Sequence, residues 1–281
     1  MATVQNGTLY VCATPIGNLG DITLRALEVL REVNLIAAED TRHSRKLLDH
    51  FGITTHLTSY HEHNEKGKAQ ELVKRLQNGD SVALISDAGM PGISDPGKEI
   101  IQLCSDEGIP VDVLPGANAG LTALVLSGMP NEHFLFHGFL PSHSGTRKKE
   151  LANYAQLTFT QIFYEGPHRL VDTLEDLLEV FGDRDAAVVR EITKLHQNVH
   201  KGTLQQLLEE FRLNSPRGEI CLLTAPYIAT LPTGGAEEWR QEVQELIQQG
   251  EKPNDAMKHV GKKYGVSKRE IYQAVLSEKE G

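Results

Sequence analysis

The chain has 281 residues, 40% of them hydrophobic, and a formal net charge of -10 at pH 7. These values fit about two globular domains and exclude a disordered chain. The acidic balance argues against nucleic acid as a partner unless basic residues are concentrated locally. No stretch approaches the ~20 apolar residues of a membrane span. Met1 to Gly7 lack the basic-then-apolar order of a secretory leader. Cys12, Cys104 and Cys221 lie far apart in apolar runs. They read as small buried hydrophobes with no metal-ligand spacing and no even framework, so a reducing, cytoplasmic location is expected.

In chain order, short apolar strands alternate with helical patterns. Leu9–Thr14 reads as a strand, Pro15–Asp21 as a turn and Thr23–Val33 as a helix. Leu35–Ala38, His56–Tyr60, Val82–Ser86 and Val111–Leu114 are further strands. Arg42–Phe51, Lys66–Gln77, Gly97–Glu107 and Ala119–Ser127 are the helices between and after them. Such alternation predicts a largely parallel sheet covered on both faces. Polar Ser142–Arg147 reads as a hinge. Beyond it come strands at Gln161–Glu165, Ala186–Ile192 and Glu219–Thr224, with helices at His168–Phe181 and Thr203–Phe211. Ala225–Ala236, with two prolines and two glycines, reads as a linker to a helical remainder.

Three loops carry the chemistry. The first, Ala13 to Asp21, leaves a strand and contains Pro15, Gly17 and Gly20. It is either a ligand loop or a tight connection with Asp21 or Thr23 capping the next helix, and it lacks the G-x-G-x-x-G order. The second runs Ser86-Asp87-Ala88-Gly89-Met90-Pro91-Gly92-Ile93-Ser94-Asp95-Pro96-Gly97. Asp95-Pro96 reads as a helix start, but Ser86–Ser94 is longer than a connection needs. The third, Leu114 to Gly120, again leaves a strand and enters a helix. All three follow strands of one sheet, so they converge on one edge, where open α/β sheets bind ligands.

The blocks TPIGNLGDIT, LIAAEDTR, SYHEHNE, ALISDAGMPGISDPG, VLPGANAGLTAL, HGFLP, FYEGPHRL and REITKLH stand in this order. Together they resemble the ribosomal RNA small subunit methyltransferase I family of the tetrapyrrole-methylase-like superfamily. The resemblance implies two α/β domains with S-adenosylmethionine in the cleft between them, and a homodimer. The substrate it implies is the ribose 2′-oxygen of a decoding-centre cytidine in 16S rRNA. Where relatives in the superfamily have Gly-Asp-Pro, this chain has Gly89-Met90-Pro91, and Ala117-Asn118 replaces an expected Pro-Ser or Pro-Cys pair. The cofactor set is then Pro15, Asp87, Gly89, Met90, Pro91, Ile93, Ala117, Asn118 and Tyr164, with backbone and apolar contacts dominating in the second loop.

Methyl transfer to a hydroxyl needs positioning, and a base or a cation that lowers the hydroxyl's pKa. Glu165, His168, Glu191 and Lys194 are the candidates, and the sequence does not choose among them. Arg190–His196 has a strand period, which groups Arg190, Ile192 and Lys194 on one face. Glu39-Asp40-Thr41-Arg42 either caps a helix and pairs, or shapes the pocket. His61 and His63 are too isolated for a metal site and are expected near the cleft or on the surface. No metal is expected.

The C-terminal segment reads as two helices joined at Gly265-Val266-Ser267, with Ser267 and Glu270 as a capping box. Ile271, Val275 and Leu276 are expected to face inward. From Lys252 to Tyr272, six basic residues face two acidic ones, a local 6 − 2 = +4. The domains expected are 1–140 (cofactor-binding), 141–228 (completing the cleft) and 237–281 (a helical, helix-turn-helix-like appendix docking on RNA). Alternatives are a superfamily methyltransferase acting on a tetrapyrrole or other small substrate, and a non-catalytic RNA-binding or assembly factor.

Overall fold

The computed structural model describes residues 4–214, 216–228 and 234–276. The chain forms two compact units, one up to Tyr227 and one from Ile228 onward. Among the described residues no helix is long and apolar enough to cross a membrane.

The first unit contains two five-stranded sheets. The first is built from β1 (Leu9–Cys12), β2 (Leu35–Ala38), β3 (Leu57–Ser59), β4 (Val82–Ile85) and β5 (Val111–Leu114). They are parallel, in the order β3-β2-β4-β1-β5. β1, β2 and β4 are buried along their whole length, so they read as continuous apolar runs. Tyr10 and Cys12 join the core on one face, Leu9 and Val11 that on the other. The connecting helices are α1 (Leu24–Glu32), α2 (Thr41–His50), α3 (Glu65–Gln77) and α4 (Lys98–Asp106). Thr23, not Asp21, caps α1 by accepting from Ala26 N at 3.1 Å.

Helix α5 (Ala119–Ser127) follows β5 but packs on the second sheet, where Ala123 and Leu124 join Ile162, Val189 and Leu223. That sheet comprises β6 (Phe134–Phe139), β7 (Thr160–Glu165), β8 (Asp185–Arg190), β9 (Asn198–Thr203) and β10 (Ile220–Thr224). Its order is β6-β7-β10-β8-β9. Only the β6–β7 pair is parallel, unlike the first sheet, where the alternation of strands and helices predicts the parallel arrangement found. α6 (Ser144–Ala152), α7 (Leu170–Phe181) and α8 (Leu204–Leu213) complete this half.

Two local expectations fail. The hinge read at Ser142–Arg147 is in its larger part the first turn of α6. Its polarity is used inside the protein, because Arg147, 2% exposed, donates from Nε to Asp176 at 2.7 Å. The strand read through Ile192 and on to His196 stops at Arg190. Glu191 (φ 49°) and Thr193 (φ 67°) are left-handed, which ends the pleat and the shared face of Arg190, Ile192 and Lys194. Strands β6 and β9 were not read from the sequence at all.

The second unit is a helical bundle of α9 (Ala236–Gln248), α10 (Pro253–Tyr264) and α11 (Lys268–Leu276) around Val243, Ala256, Met257, Val260 and Ile271. Pro253 opens α10, and left-handed Gly265 closes it. The Ser267–Glu270 capping box forms, with both backbone donors accepted, at 2.7 and 3.2 Å. Val275 packs on the core, whereas Leu276 is 39% exposed rather than inward. Of the expected linker, 229–233 lie outside the described residues, as do 277–281.

Candidate active site

The three loops meet as their positions after β1, β4 and β5 require. Thr14 and Gly89 exchange backbone hydrogen bonds, Thr14 N to Gly89 O at 2.8 Å and Gly89 N to Thr14 O at 3.1 Å. Thr14 Oγ1 also donates to Ser86 O at 3.1 Å. Gly89 has φ +78°, a conformation costly to any side chain-bearing residue. The third loop presses on the first so closely that a Cβ on Gly116 would stand 2.6 Å from Ala13 Cβ.

Between these loops and the ends of β7 and β10 lies a cavity of about 420 Å³. Asp87, Gly89, Met90, Ile93, Asn118, Tyr164 and Glu165 line it. Pro15 is buried beside the lining residue Ile16, Pro91 is buried within the second loop next to the lining residue Met90, and Ala117 packs in the core with Tyr164. His168 is exposed, just past the lining residue Pro167. Glu191 and Lys194 reach the wall through Glu219. Reading the sequence missed Phe139, Cys221 and the 218–220 turn, all of which line the cavity. The first two belong to apolar strand ends that carry no polar signature.

The wall is acidic on the side of the first sheet. Glu39, Asp87 and Asp95 all line it. Asp40 N donates to Asp87 Oδ1 at 3.1 Å and Asp87 N to Glu39 Oε2 at 3.3 Å, locking β2 to β4. Burial pushes the Glu39 carboxyl above its ordinary range, and burial does the same to Asp95 against the hydrogen bond from Ser86. Asp95 therefore belongs to the wall, not to a helix start. Gly97 stands at the N-cap of α4 instead, and Glu65 Oε1 accepts from its N–H at 3.0 Å. Asp40 caps α2, and the Arg42 side chain holds its carboxyl down at about 2.

On the other side, the second half supplies fixed side chains. Glu165 is 3% exposed, with Oε1 accepting from Gly166 N at 2.7 Å and Oε2 from Thr173 Oγ1 at 2.6 Å. Arg169 Nε lies 3.2 Å from the same carboxylate. The Tyr164 hydroxyl accepts from Gly120 N at 3.2 Å, and burial raises its pKa to about 12. Lys194 Nζ donates to Glu191 Oε1 and Glu219 Oε2, both at 3.0 Å. Although burial works against the charge, those bonds raise the Lys194 pKa. The hydrogen bond from Glu219 N, aided by Lys194, lowers that of Glu191. The stem of Lys194 crosses to the first turn, where a Cβ on Gly17 would meet its Cγ at 2.5 Å. All three cysteines are buried and unpaired. His63 is exposed, with the His61 ring 5.9 Å away, and among the described residues no group is arranged to hold a metal ion.

The family of tetrapyrrole (corrin/porphyrin) methylases matches residues 8–208. The chain is 46% identical over 272 residues to the ribosomal RNA small subunit methyltransferase I of Synechocystis sp., covering 96% of this chain and 98% of that protein. It is 44% identical to that of Halalkalibacterium halodurans (95% and 94% covered) and 42% to that of Bacillus subtilis (95% and 94%). Among solved structures, a diphthine synthase superimposes with a TM-score of 0.61 at 15% identity, over 78% of this chain and 89% of that one. A uroporphyrin-III-C-methyltransferase from Thermus thermophilus gives 0.54 at 20%, over 77% and 94%. At these identities the structures speak for the fold alone.

Proposed function

The chain belongs to the tetrapyrrole methylase family and, from that premise, we propose that it methylates the ribose 2′-hydroxyl of a decoding-centre cytidine in 16S rRNA, using S-adenosylmethionine. The observation that carries this reading is likeness along nearly the whole length, 96% of this chain and 98% of a relative named for small-subunit rRNA methylation. A cytoplasmic location and a homodimer belong to the same reading. An apolar face on α5, where Leu121 is 50% and Val125 75% exposed, supports the dimer.

The residues present fit the cofactor. A cavity of about 420 Å³ is of small-ligand size. Five carboxyl-bearing residues line it, of which Glu39, Asp87 and Asp95 form the wall of the first sheet, and the ligand carries a sulfonium and an ammonium. Gly89 admits a close backbone approach, while Met90 and Ile93 give apolar contact. When bound, the cofactor supplies a methyl group already activated by the sulfonium. Glu39, Asp87 and Asp95 hold positive charge, and Tyr164, kept protonated, walls the opposite side.

Of the four catalytic candidates, Lys194 comes nearest to the required cation. Its bonds to Glu191 and Glu219 keep it charged, so it is not a base, and it bears on the cavity through Glu219, which lines it. Glu191 positions it. Glu165 has both oxygens engaged and holds the Gly166–Pro167 turn. Exposed His168 is left to accept the proton at its ring. Purified protein with S-adenosylmethionine should methylate RNA of unmodified small subunits and leave uroporphyrinogen untouched; the reverse would refute the reading.

A further inference from the structure

Phe139 is 60% exposed and lines the cavity. Leaving so much of an aromatic ring in water forfeits burial that this side chain would gain elsewhere. Yet the surrounding chain is built to hold it there. Strand β6 shifts register against β7 between Phe136 and Gly138, and Gly138 takes φ +72°. Such a bulge re-aims the side chain that follows it. A Cβ on Gly138 would stand 3.2 Å from Ser94 Oγ, so the strand end abuts the loop carrying Ile93, itself 56% exposed.

The residues after Phe139 are fixed from inside. Arg169 Nη2 donates to Leu140 O at 2.7 Å and to Pro141 O at 3.2 Å. Arg147 Nη1 donates to Pro141 O and Ser142 O, both at 3.2 Å. Asp176, which accepts from Arg147 Nε, also accepts from Ser144 Oγ at 2.8 Å. The Tyr164 ring supports Phe139 in a T-shaped contact, centroids 5.5 Å apart. A buried ion pair and three carbonyl clamps thus hold an open aromatic face at the cavity.

We propose that Phe139 is a nucleobase subsite, the platform on which the base of the target nucleotide stacks while its ribose is methylated. The inference rests on the reading of the substrate as RNA. Two features of the cavity favour a base over other occupants. Glu39, Asp87 and Asp95 repel phosphate, so the uncharged base and sugar enter and the phosphates stay outside. A cavity of about 420 Å³ does not hold a stacked run of nucleotides, so the target must leave its stack. A flipped base regains its lost stacking on an aromatic face.

The test compares Phe139→Ala, Phe139→Leu and Phe139→Tyr, using unmodified small subunits as substrate. Loss of one base stack lowers kcat/KM for the subunit roughly 5- to 150-fold. That loss is expected for Ala and for Leu, because leucine restores apolar surface but no ring, and Tyr should retain wild-type kcat/KM. Affinity for S-adenosylmethionine, by calorimetry, should be unchanged in all three, which also shows that they fold. A fluorescent cytidine analogue at the target position should be quenched by the wild type and by Phe139→Tyr, and not by Phe139→Leu. Wild-type kcat/KM in Phe139→Leu overturns the inference while leaving the substrate reading intact. So does a fall in cofactor affinity by the same factor, which would assign the ring to the cofactor's adenine. A wild-type protein that methylates no RNA overturns both.

Discussion

At the scale of single residues, Gly89 is the most demanding position in the cleft. Its φ of +78° costs an L-residue about 1–2 kcal/mol, and an added Cβ would reach Ile16 Cγ2 at 3.4 Å. Gly89→Val should keep the fold and lose S-adenosylmethionine binding; calorimetry with unchanged affinity would remove this loop from the cofactor site. The carboxyls of Glu39 and Asp95 make a second prediction. Burial raises both above their unfolded values, so the folded chain binds more protons there. Their contribution to stability therefore falls as pH rises through that raised range. A cationic ligand works oppositely, since it favours the ionised carboxylates and expels the protons. Affinity should rise with pH across the same window, with proton release visible as buffer-dependent binding heats. Heats independent of the buffer would show that neither carboxyl faces the ligand.

At the scale of elements, the sequence was most legible where one signal fixes one structure. Strands β1, β2 and β4 are short apolar runs ending in glycine- or acid-bearing loops, and the loops converge because the strands are parallel neighbours. The Ser267–Glu270 box was equally plain. Where tertiary bonds decide, the local pattern misled. Arg190–His196 alternates like a strand, but Glu191 turns left-handed, with its carboxylate accepting from Glu219 N at 2.9 Å and pressed against Gly218. No local feature announces that partner, 28 residues away. Likewise Ser142–Arg147 looked like a polar hinge because Asp176, which buries Arg147, lies on α7. This pair gives a stability prediction. Asp176→Ala strands a buried guanidinium and should cost about 3–5 kcal/mol by urea unfolding. A loss below about 1 kcal/mol, the range of exposed pairs, would mean that water reaches Arg147.

At the scale of the whole molecule, an acidic protein must approach an acidic polymer. The net charge is -10, yet Lys252, Lys262, Lys268 and Arg269 are exposed in the helical second unit. Lys263 is engaged with Glu242, so the usable charge is smaller than the sequence count of +4 suggests. We propose that these four residues bind phosphates and dock the enzyme on its substrate. Reversing Lys262, Lys268 and Arg269 to Glu should leave cofactor affinity intact and weaken subunit binding. For every phosphate no longer neutralised, the log–log salt slope should become shallower by about 0.9. An unchanged slope would give this unit another role. Catalysis comes down to one methyl transfer, which labelling follows directly. Protein is incubated with labelled S-adenosylmethionine and small subunits lacking the modification, and the label is mapped. A single labelled cytidine in the decoding centre is expected, methylated on the ribose and resistant to alkali at that linkage. Label on a base atom, on protein or spread over many nucleotides would contradict it.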